Sequence, residues 1–423
     1  MVSTFLFFLL SAFAPVSHGA DDNKDPVIMD PDLVLEPVVK GLKLPTTMAF
    51  IGPDDFLVLE KENGTVQRIS NGTMSQKPLL DVSVSYGDER GMLGIATAEN
   101  QTSSHRYVFL YYTKSNTNHD DNIDDSEYYV RSYLYRYELV GDKLSNPKLL
   151  LSTPLTNSTY HHSGYMVIGP DYNLYLVIGD LTKYKTTQAQ NVRNGSFPDT
   201  TGGILRINYD GKPVQGGIIG DRYPLNLYYA YGIRNSFGLD FDPVTGKLWE
   251  TENGPYYGDE INLVDSGFNG GWSKVQGFWK PTDNLTAGDM VLTPDDLVDF
   301  NGKGKYSTPE LVWMNPACVA ALKFLDSDKY GNKYKNDLFV GTSTGKLYHF
   351  DLNRNRTELS LSGSLSDKVV DTDPDDKVDQ ILFGDGFGGI TDMQVGPYDG
   401  LLYIVSHTDG TIYKIVPKDS QKN

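Results

Sequence analysis

The chain has 423 residues, of which 37 are lysine or arginine and 55 are aspartate or glutamate, so its formal charge is −18. This acidity excludes nucleic acid and anionic lipid as main partners, because like charges repel. The 39% hydrophobic share excludes a disordered chain, and the only cysteine, Cys318, excludes an internal disulfide and a thiolate zinc cluster.

The first twenty residues are predicted to be a secretory signal peptide. Thr4–Val16 (TFLFFLLSAFAPV) is largely apolar, and small residues lead to Ala20, where we expect cleavage. The run is shorter than the ~20 apolar residues that a membrane-spanning helix needs. We therefore expect a secreted protein, extracellular or periplasmic, with no membrane span and with an N-terminal segment at residues 21–36.

Seven Asn-x-Ser/Thr sequons agree with this location. They begin at Asn63, Asn71, Asn100, Asn157, Asn194, Asn284 and Asn355. A glycosylated surface is one interpretation, and chance in a chain rich in Asn and Thr is the other.

Six strand–turn–strand segments follow one another along the rest of the chain. Their first strands begin at Met48, Leu93, Met166, Leu239, Leu322 and Met393. Third strands begin at Thr65, Ser132, Gly203, Glu260, Lys346 and Thr411. Alternating apolar residues and Gly/Pro/Asp turns predict hairpins, and no stretch keeps a helical period.

The first strands are separated by 45, 73, 73, 83 and 71 residues. This spacing is too irregular for a solenoid, and it predicts an all-β fold, a six-bladed β-propeller with long loops between blades. We expect one propeller domain at residues 37–417, closed by Val34–Val39 as the outer strand of the last blade, and a tail at 418–423. A pair of β-sandwiches is the alternative.

Five stretches in this region have a specific order and spacing. They are GDERGMLGIA (Gly87–Ala96), HHSGYMVIGPDYNLYLVIGD (His161–Asp180), GGILRINYDG (Gly202–Gly211), YGIRNSFGLDFDPVTGKLWETENGP (Tyr231–Pro255) and GDEINLVDSGFNGGW (Gly258–Trp272). Together they resemble the soluble quinoprotein glucose/sorbosone dehydrogenase family over nearly all of residues 37–417. The resemblance implies a six-bladed propeller that oxidises aldose sugars with pyrroloquinoline quinone (PQQ) and calcium.

The resemblance also implies which residues transfer the proton. His161 matches the family's general base, and Asp180, nineteen residues later, matches the aspartate that holds it. An imidazole with a pKa of ~6.5 can accept a proton near neutral pH. Alternation would put His161 and His162 on opposite faces of an extended segment. A strand cap for His161 and a turn for Asp180 are the structural alternatives.

Arg234 and Asn235 match the family's pair that contacts the quinone and the reacting oxygen. Gly254 and Pro255 match residues whose backbone carbonyls hold the catalytic calcium, a hard ion that accepts such oxygens. A structural arginine and a plain Gly-Pro turn are the alternatives.

A second calcium of the family lies near acidic residues that match Asp259 and Glu260. The Gly270 carbonyl is a further candidate ligand. An ordinary acidic strand start is the alternative. Elsewhere, Asp326, Asp328, Gly331 and Asp337 fit part of a calcium-loop pattern but fall inside a predicted hairpin.

Two departures concern the quinone end of the site. Tyr165 stands where the family has an arginine beside the site, and Glu89 stands where the best-known members have a glutamine that contacts the quinone. Glu89 is therefore the predicted cofactor contact at that position.

Three cations that would neutralise the PQQ carboxylates are not matched. Gly341–Gly345 (GTSTG) has no lysine, and Gly389 and Thr391 replace two arginines of an R-x-R-D motif of which Asp392 is kept. Each charge-assisted contact is worth ~1.5–3 kcal/mol, so the loss would weaken PQQ binding thousands-fold. Candidate substitutes are Arg90, Lys303, Lys305 and Lys346.

Three functions follow. The first is an oxidoreductase that acts on the hydroxyl groups of a small sugar or glycan with PQQ and calcium. The second is a calcium-stabilised propeller that has lost PQQ and binds a glycan or a protein. The third is a calcium-dependent hydrolase, such as a lactonase, that uses His161.

Overall fold

The structure, a computed structural model, describes residues 25–99, 105–182, 186–281, 293–371 and 378–418. The predicted signal peptide, the sequons at Asn100 and Asn284, and residues 419–423 of the predicted tail lie outside the described residues. Within these ranges, no helix combines the length and the apolar character that crossing a membrane requires.

Strands make up most of the regular structure. The first fifteen are β1 (Val27–Ile28), β2 (Leu33–Lys40), β3 (Pro45–Gly52), β4 (Asp55–Glu60), β5 (Thr65–Ser70), β6 (Thr73–Met74), β7 (Leu80–Asp81), β8 (Met92–Glu99), β9 (Arg106–Lys114), β10 (Arg131–Val140), β11 (Lys143–Ser152), β12 (Met166–Ile168), β13 (Leu174–Ile178), β14 (Gly203–Ile207) and β15 (Tyr228–Tyr231).

The later strands are β16 (Ser236–Phe241), β17 (Leu248–Glu252), β18 (Asp259–Val264), β19 (Phe268–Asn269), β20 (Val275–Gln276), β21 (Lys280–Pro281), β22 (Lys305–Tyr306), β23 (Leu311–Trp313), β24 (Val319–Phe324), β25 (Leu338–Thr342), β26 (Leu347–Phe350), β27 (Val369–Val370), β28 (Leu382–Asp385), β29 (Ile390–Val395), β30 (Leu402–Ser406) and β31 (Thr411–Pro417). Short 3₁₀ helices cover Gln188–Gln190, Leu225–Leu227, Pro294–Asp296, Gly331–Lys333, Gly363–Asp367 and Val378–Gln380.

The strands form six large sheets in the described ranges, numbered here along the chain. Sheet 1 contains β3–β7, sheet 2 β8–β11, sheet 3 β12–β15 with β19 and β22, sheet 4 β16–β18 with β23 and β27, sheet 5 β24–β26 with β28 and β1, and sheet 6 β29–β31 with β2. Strands β20 and β21 pair separately. Each predicted hairpin is therefore the start of one sheet.

The first strands of the sheets pack side by side in a ring. Strand β3 contacts β8, β8 contacts β12, β12 contacts β16, β16 contacts β24, β24 contacts β29, and β29 contacts β3. This closed ring confirms the predicted all-β propeller. The predicted closing strand is also confirmed, because β2 pairs antiparallel with β31 from Leu33 opposite Pro417 to Lys40 opposite Thr411.

Apolar side chains fill the spaces between neighbouring sheets. Leu57 of sheet 1 packs with Leu110 of sheet 2, and Trp249 of sheet 4 packs with Phe324 of sheet 5. Central strands such as β13 are buried along their whole length, because both of their faces meet a neighbouring sheet. Each fully buried large apolar side chain stabilises the ring by ~1.5–3 kcal/mol.

Candidate active site

The predicted site residues lie where the chain enters the first strands. Glu89 comes shortly before β8, His161 before β12, and Arg234 directly before β16. Because these strands line the ring side by side, their leading segments meet at one end of it. The hydrogen bonds described below join the three segments.

His161 and Asp180 form a buried pair. His161 is 3% exposed, and its Nδ1 lies 2.5 Å from Asp180 Oδ1. Trp272 Nε1 donates to Asp180 Oδ2 at 2.7 Å, and the Thr182 amide donates to Oδ1 at 2.7 Å. Burial raises the pKa of Asp180, but His161, Arg234 and Trp272 together outweigh burial and hold this pKa below its ordinary value. A charged Asp180 fixes Nδ1 as the protonated nitrogen.

The other ring nitrogen of His161, Nε2, is available to accept a proton. It has no hydrogen-bond partner among the residues that the structure describes. The backbone is folded tightly here, because a Cβ atom on Gly179 would lie 2.3 Å from the His161 carbonyl oxygen and 2.8 Å from that of Arg234. Glycine at 179 is therefore required for the close approach of these segments.

His162 has different partners from His161. His161 has φ of 61°, so the segment is left-handed there and the extended conformation assumed from the sequence does not apply. His162 Nε2 donates to the Ser158 carbonyl at 2.9 Å, and Ser132 Oγ lies 3.1 Å from Nδ1. Burial lowers the pKa of His162 to about 3, which keeps this ring neutral.

Glu89 and Asn235 connect the second and fourth sheets. Glu89 accepts the His161 amide at 2.5 Å and Asn235 Nδ2 at 3.1 and 3.2 Å. Ser163 Oγ donates to Asn235 Oδ1 at 3.1 Å. Burial raises the pKa of Glu89. A protonated Glu89 would carry one O–H donor beside a carbonyl acceptor, whereas a glutamine amide carries two N–H donors.

Arg234 donates hydrogen bonds to one of the predicted calcium ligands, the Gly254 carbonyl, and to the carbonyl before it. Its Nη1 donates to the carbonyls of Asn253 at 2.8 Å and Gly254 at 3.0 Å, and its backbone amide donates to Glu252 Oε1 at 2.7 Å. Its Cζ lies 5.5 Å from the centre of the Trp272 ring, and its buried Nε has no hydrogen-bond partner. The Gly254 carbonyl therefore lies beside a positive charge, which disfavours a calcium ion next to it, and the calcium role of Gly254 and Pro255 stays a prediction.

Three buried glutamates lie on β17 and β18, next to Arg234. Glu250, Glu252 and Glu260 are at most 2% exposed, and Oε2 of both Glu250 and Glu252 has no hydrogen-bond partner. Burial raises the pKa of Glu250 to about 7 and that of Glu260 to about 8, and burial and both neighbours raise that of Glu252. Buried carboxylate oxygens without donors are ligands that calcium prefers, so this group fits a calcium ion.

Asp259 and Gly270 are placed differently from Glu260. Asp259 accepts the Gly254 amide at 2.9 Å and the Cys318 amide at 2.7 Å, and burial raises its pKa to about 6. The Gly270 amide donates to the Tyr231 carbonyl. Among the described residues, no hydrogen bond joins Gly270 to Glu260. The roles predicted for Asp259 and Gly270 as calcium neighbours stay predictions.

Neutral groups line the side where the family places its cations. The Thr342 and Thr344 hydroxyl oxygens lie 2.9 Å apart, and Thr391 Oγ1 donates to the Pro45 carbonyl at 3.2 Å. A Cβ atom on Gly389 would lie 2.8 Å from the Ser343 carbonyl oxygen, so the two stretches adjoin.

Tyr165 takes the place of the family's arginine with a neutral hydroxyl. It donates to Asp392 Oδ1 at 2.7 Å, and the Met48 amide donates to Oδ2 at 2.7 Å. Burial raises the pKa of Asp392 to about 6. Tyr165, Ser163, Phe237 and their neighbours enclose a cavity of about 20 Å³, which has room for one water molecule.

The four candidate substitute cations have other positions. The Arg90 guanidinium donates to three backbone carbonyls. Lys346 Nζ lies 3.3 Å from Asp385 Oδ2, and Lys303 and Lys305 are exposed. The charges of Arg90 and Lys346 are therefore engaged with other oxygen atoms, and Lys303 and Lys305 are exposed to solvent.

Three residues of the network escaped sequence reasoning. Trp272 ends a stretch that resembles the family and Glu252 lies within another, but the sequence predicts no function for either residue. Lys61 follows β4, is 3% exposed and donates to the Tyr86 carbonyl at 3.0 Å. Burial lowers the pKa of Lys61 to about 8, against the charges of nearby acids that include Glu89.

A wider hollow of about 630 Å³ opens at the opposite ends of the first strands, where their hairpins turn. Asp240, Lys323 and Tyr398 are among its lining residues. Asp326 and Asp328 of the partial calcium-loop pattern line it, but none of the residues that the family resemblance predicts does, so the candidate site is the His161 end.

Comparison with known proteins shows the family of this chain. The sequence model of the glucose / sorbosone dehydrogenase family matches residues 42–414. The chain is 30% identical over 315 residues to quinoprotein glucose dehydrogenase B of Acinetobacter calcoaceticus, which covers 68% of this chain and 63% of that protein. It is 24% identical over 388 residues to aldose sugar dehydrogenase YliI of Escherichia coli, and the match covers 89% of this chain and 90% of that protein.

Solved structures share the fold. The soluble aldose sugar dehydrogenase of Escherichia coli in its apo form gives a TM-score of 0.70 at 21% identity and covers 91% of this chain and 100% of its own. The PQQ-bound aldose sugar dehydrogenase of Streptomyces coelicolor gives a TM-score of 0.62 at 20% identity, and the match covers 91% of this chain and 98% of that one. At these identities the likeness concerns the architecture.

Proposed function

Because the chain belongs to the glucose/sorbosone dehydrogenase family, we propose that it oxidises a hydroxyl group of a small sugar. The observation that carries the proposal is the buried His161–Asp180 pair, in which one ring nitrogen is fixed and the other is available. An imidazole held in this way is a general base suited to removing the proton of a sugar hydroxyl.

The residues divide the work as follows. His161 Nε2 accepts the hydroxyl proton, and Asp180 stabilises the imidazolium that forms. Trp272 holds the second oxygen of Asp180, so the carboxylate cannot turn away from the ring. Arg234 brings a positive charge beside the reacting oxygen and stabilises negative charge that develops there. PQQ supplies the hydride acceptor when it is bound.

The donor set fits the quinone end of PQQ better than its carboxylate end. Arg234 has a buried Nε–H without a partner, and Asn235 and Glu89 lie beside it. These three residues would hold the quinone end. Thr344 offers an exposed hydroxyl group to the carboxylates in place of a charge, while Thr342 and Thr391 are buried and hydrogen-bonded within the protein. We therefore expect weaker PQQ binding than three cations would give.

We place calcium at Glu252 and Glu260 instead of at the Gly254 carbonyl. The oxygen without a donor on Glu252 is the reason, because a bound cation would neutralise it. Calcium should raise the melting temperature by several degrees, and chelation should reverse the rise, because the ion binds only the folded state. The variant E252Q should lose this response, while E127Q, at an exposed carboxylate, should keep it. An equal rise in melting temperature in both variants would show that calcium does not bind at this position.

The finer features of the fold and location belong to the same proposal. Each of sheets 1 to 6 would be one blade of a six-bladed propeller. The apolar start of the chain would direct secretion to an extracellular or periplasmic space, where the sequons could carry glycans.

The decisive experiment mixes purified protein with calcium, PQQ, a panel of aldoses and a dye that accepts electrons. We expect sugar-dependent dye reduction that requires PQQ, and calorimetric binding of PQQ alone. Binding of PQQ without dye reduction for any aldose would overturn the proposed substrate class. If the protein neither binds PQQ nor reduces the dye, the result favours a glycan- or protein-binding module. Turnover of lactones without a dye would favour the hydrolase.

A further inference from the structure

A second group of metal-ligating side chains lies in sheet 5, at the end of the sheet away from His161. Asp337 directly precedes β25, and Asp351 directly follows β26. Leu338 pairs with Phe350 in the antiparallel register, so Asp337 and Asp351 stand opposite each other one step beyond this pair. His349 is two residues before Asp351 and shares its face of the sheet, because side chains alternate along a strand.

The three side chains converge on a small volume. His349 Nε2 lies 3.0 Å from Asp337 Oδ2 and 3.9 Å from Asp351 Oδ1, and one ligand atom from each residue fits within 4.8 Å. Two ligands held ~2.0–2.1 Å from a tetrahedral zinc ion lie ~3.3 Å apart. The observed separations lie on either side of this value. The Asp351 side chain is 66% exposed and can move to close the longer one.

Repulsion between the two carboxylates needs a positive charge nearby. Like charges placed opposite each other on neighbouring strands destabilise a sheet. One imidazole N–H can serve only one carboxylate at a time. Lys333 does not supply the charge, because its Nζ is 2.7 Å from Asp30.

The histidine ring is held by aromatic neighbours. The rings of Tyr334, Phe339 and Phe383 have centres 5.0, 5.1 and 6.0 Å from that of His349. A ring fixed in this way loses little conformational freedom when it binds an ion, which favours binding.

We propose that Asp337, His349 and Asp351 bind one divalent transition-metal ion of the zinc class. One imidazole nitrogen with two carboxylate oxygens suits zinc better than calcium or magnesium, which prefer oxygen ligands alone. Water completes the coordination on the exposed side. The ion ties the outer ends of β25 and β26 together, and the site is independent of sugar oxidation at His161.

The test uses untagged protein that has been stripped with a chelator and resupplied with calcium. Zinc is titrated in competition with a chromophoric chelator, and cobalt is used for its visible absorption. We expect one tightly bound zinc per chain, and a loss of at least tenfold in affinity in both H349Q and D351N. The matched control is H105Q, which removes another histidine that lies 3.7 Å from a carboxylate, that of Glu138. Zinc binding that is absent in the natural chain, or unchanged in H349Q and D351N, overturns the proposal.

Melting temperatures separate metal binding from a purely structural pair. Without metal, D351N should melt at or above the natural chain, because it removes the repulsion with Asp337. Zinc should raise the melting temperature of the natural chain and of H105Q, but not that of D351N. A lower melting temperature for metal-free D351N, with no response of the natural chain to zinc, would identify an ordinary His–Asp contact instead.

Discussion

The two sides of the candidate site differ in how they handle charge. The proton-transfer side contains His161, Asp180 and Trp272, and its carboxylate is paired and hydrogen-bonded. The opposite side, formed by Gly341–Gly345 and Gly389–Asp392, offers hydroxyl groups and a carboxylate bonded to Tyr165. Under the proposed function, the residues that remove a proton and the residues that hold a trianionic cofactor are separate, so one set can be complete while the other binds weakly.

The largest expected effect tests the proton-transfer side. In D180N the amide can donate to Nδ1 of His161, which moves the ring proton to Nε2 and prevents that atom from accepting another. We expect sugar-dependent dye reduction to fall ~10²–10⁴-fold in kcat, with a smaller change in KM. The control D171N changes an aspartate in the first hairpin of the same sheet and should keep its kcat. Activity in D180N within threefold of the natural chain would mean that the pair does not carry the proton.

A medium effect tests the opposite side. Ser343 is half-buried beside Gly389, and S343K would bring one cation between the two neutral stretches. One charge-assisted contact is worth ~1.5–3 kcal/mol, so PQQ should bind ~10-fold tighter or better in calorimetry. The control S366K adds the same charge at an exposed position of the 3₁₀ helix Gly363–Asp367. Equal affinities in S343K and S366K would show that the cofactor carboxylates do not lie there.

The smallest effect tests whether the ring of His162, next to the His161–Asp180 pair, stays neutral. The folded-state pKa of His162, about 3, is below its ordinary value of 6.5. The neutral ring therefore stabilises the fold fully above pH 6.5, and this contribution is lost as the pH falls towards 3. The free energy of unfolding should decrease by ~1.4 kcal/mol per pH unit from this group between about pH 6 and 4.

In H162Q this part of the pH dependence should disappear, while H105Q should keep it. Denaturant unfolding at a series of pH values measures the slope. Identical slopes in H162Q and the natural chain would mean that His162 titrates near neutral pH, and the distinction between the two histidines would fail.

The hairpins were predictable because their cause is local. Alternating apolar residues and turns such as Gly169–Asn173 determine a hairpin without reference to the rest of the chain. The pairing of His161 with Asp180 was also predicted, from the resemblance, and the structure brings the two side chains into contact.

The network around this pair was not predictable in the same way. Trp272 reaches Asp180 across 92 positions of the sequence, and Tyr165 reaches Asp392 across 227. Such contacts depend on how the leading loops of different sheets approach each other, and no local pattern records that approach. The hydrogen bond from the Arg234 guanidinium to the Gly254 carbonyl likewise depends on how two loops approach each other.

The pairing of β2 with β31 has a consequence for how the protein is made. Strand β2 is synthesised before β3, and its partner β31 follows only after β30. At ~5–20 residues per second, the ribosome leaves the edge of β2 without its partner for tens of seconds. An unpaired strand edge is a template for association with other chains. The ring therefore closes only after β31 has been synthesised, and in the interval before closure a chaperone or a second nascent chain can compete for this edge.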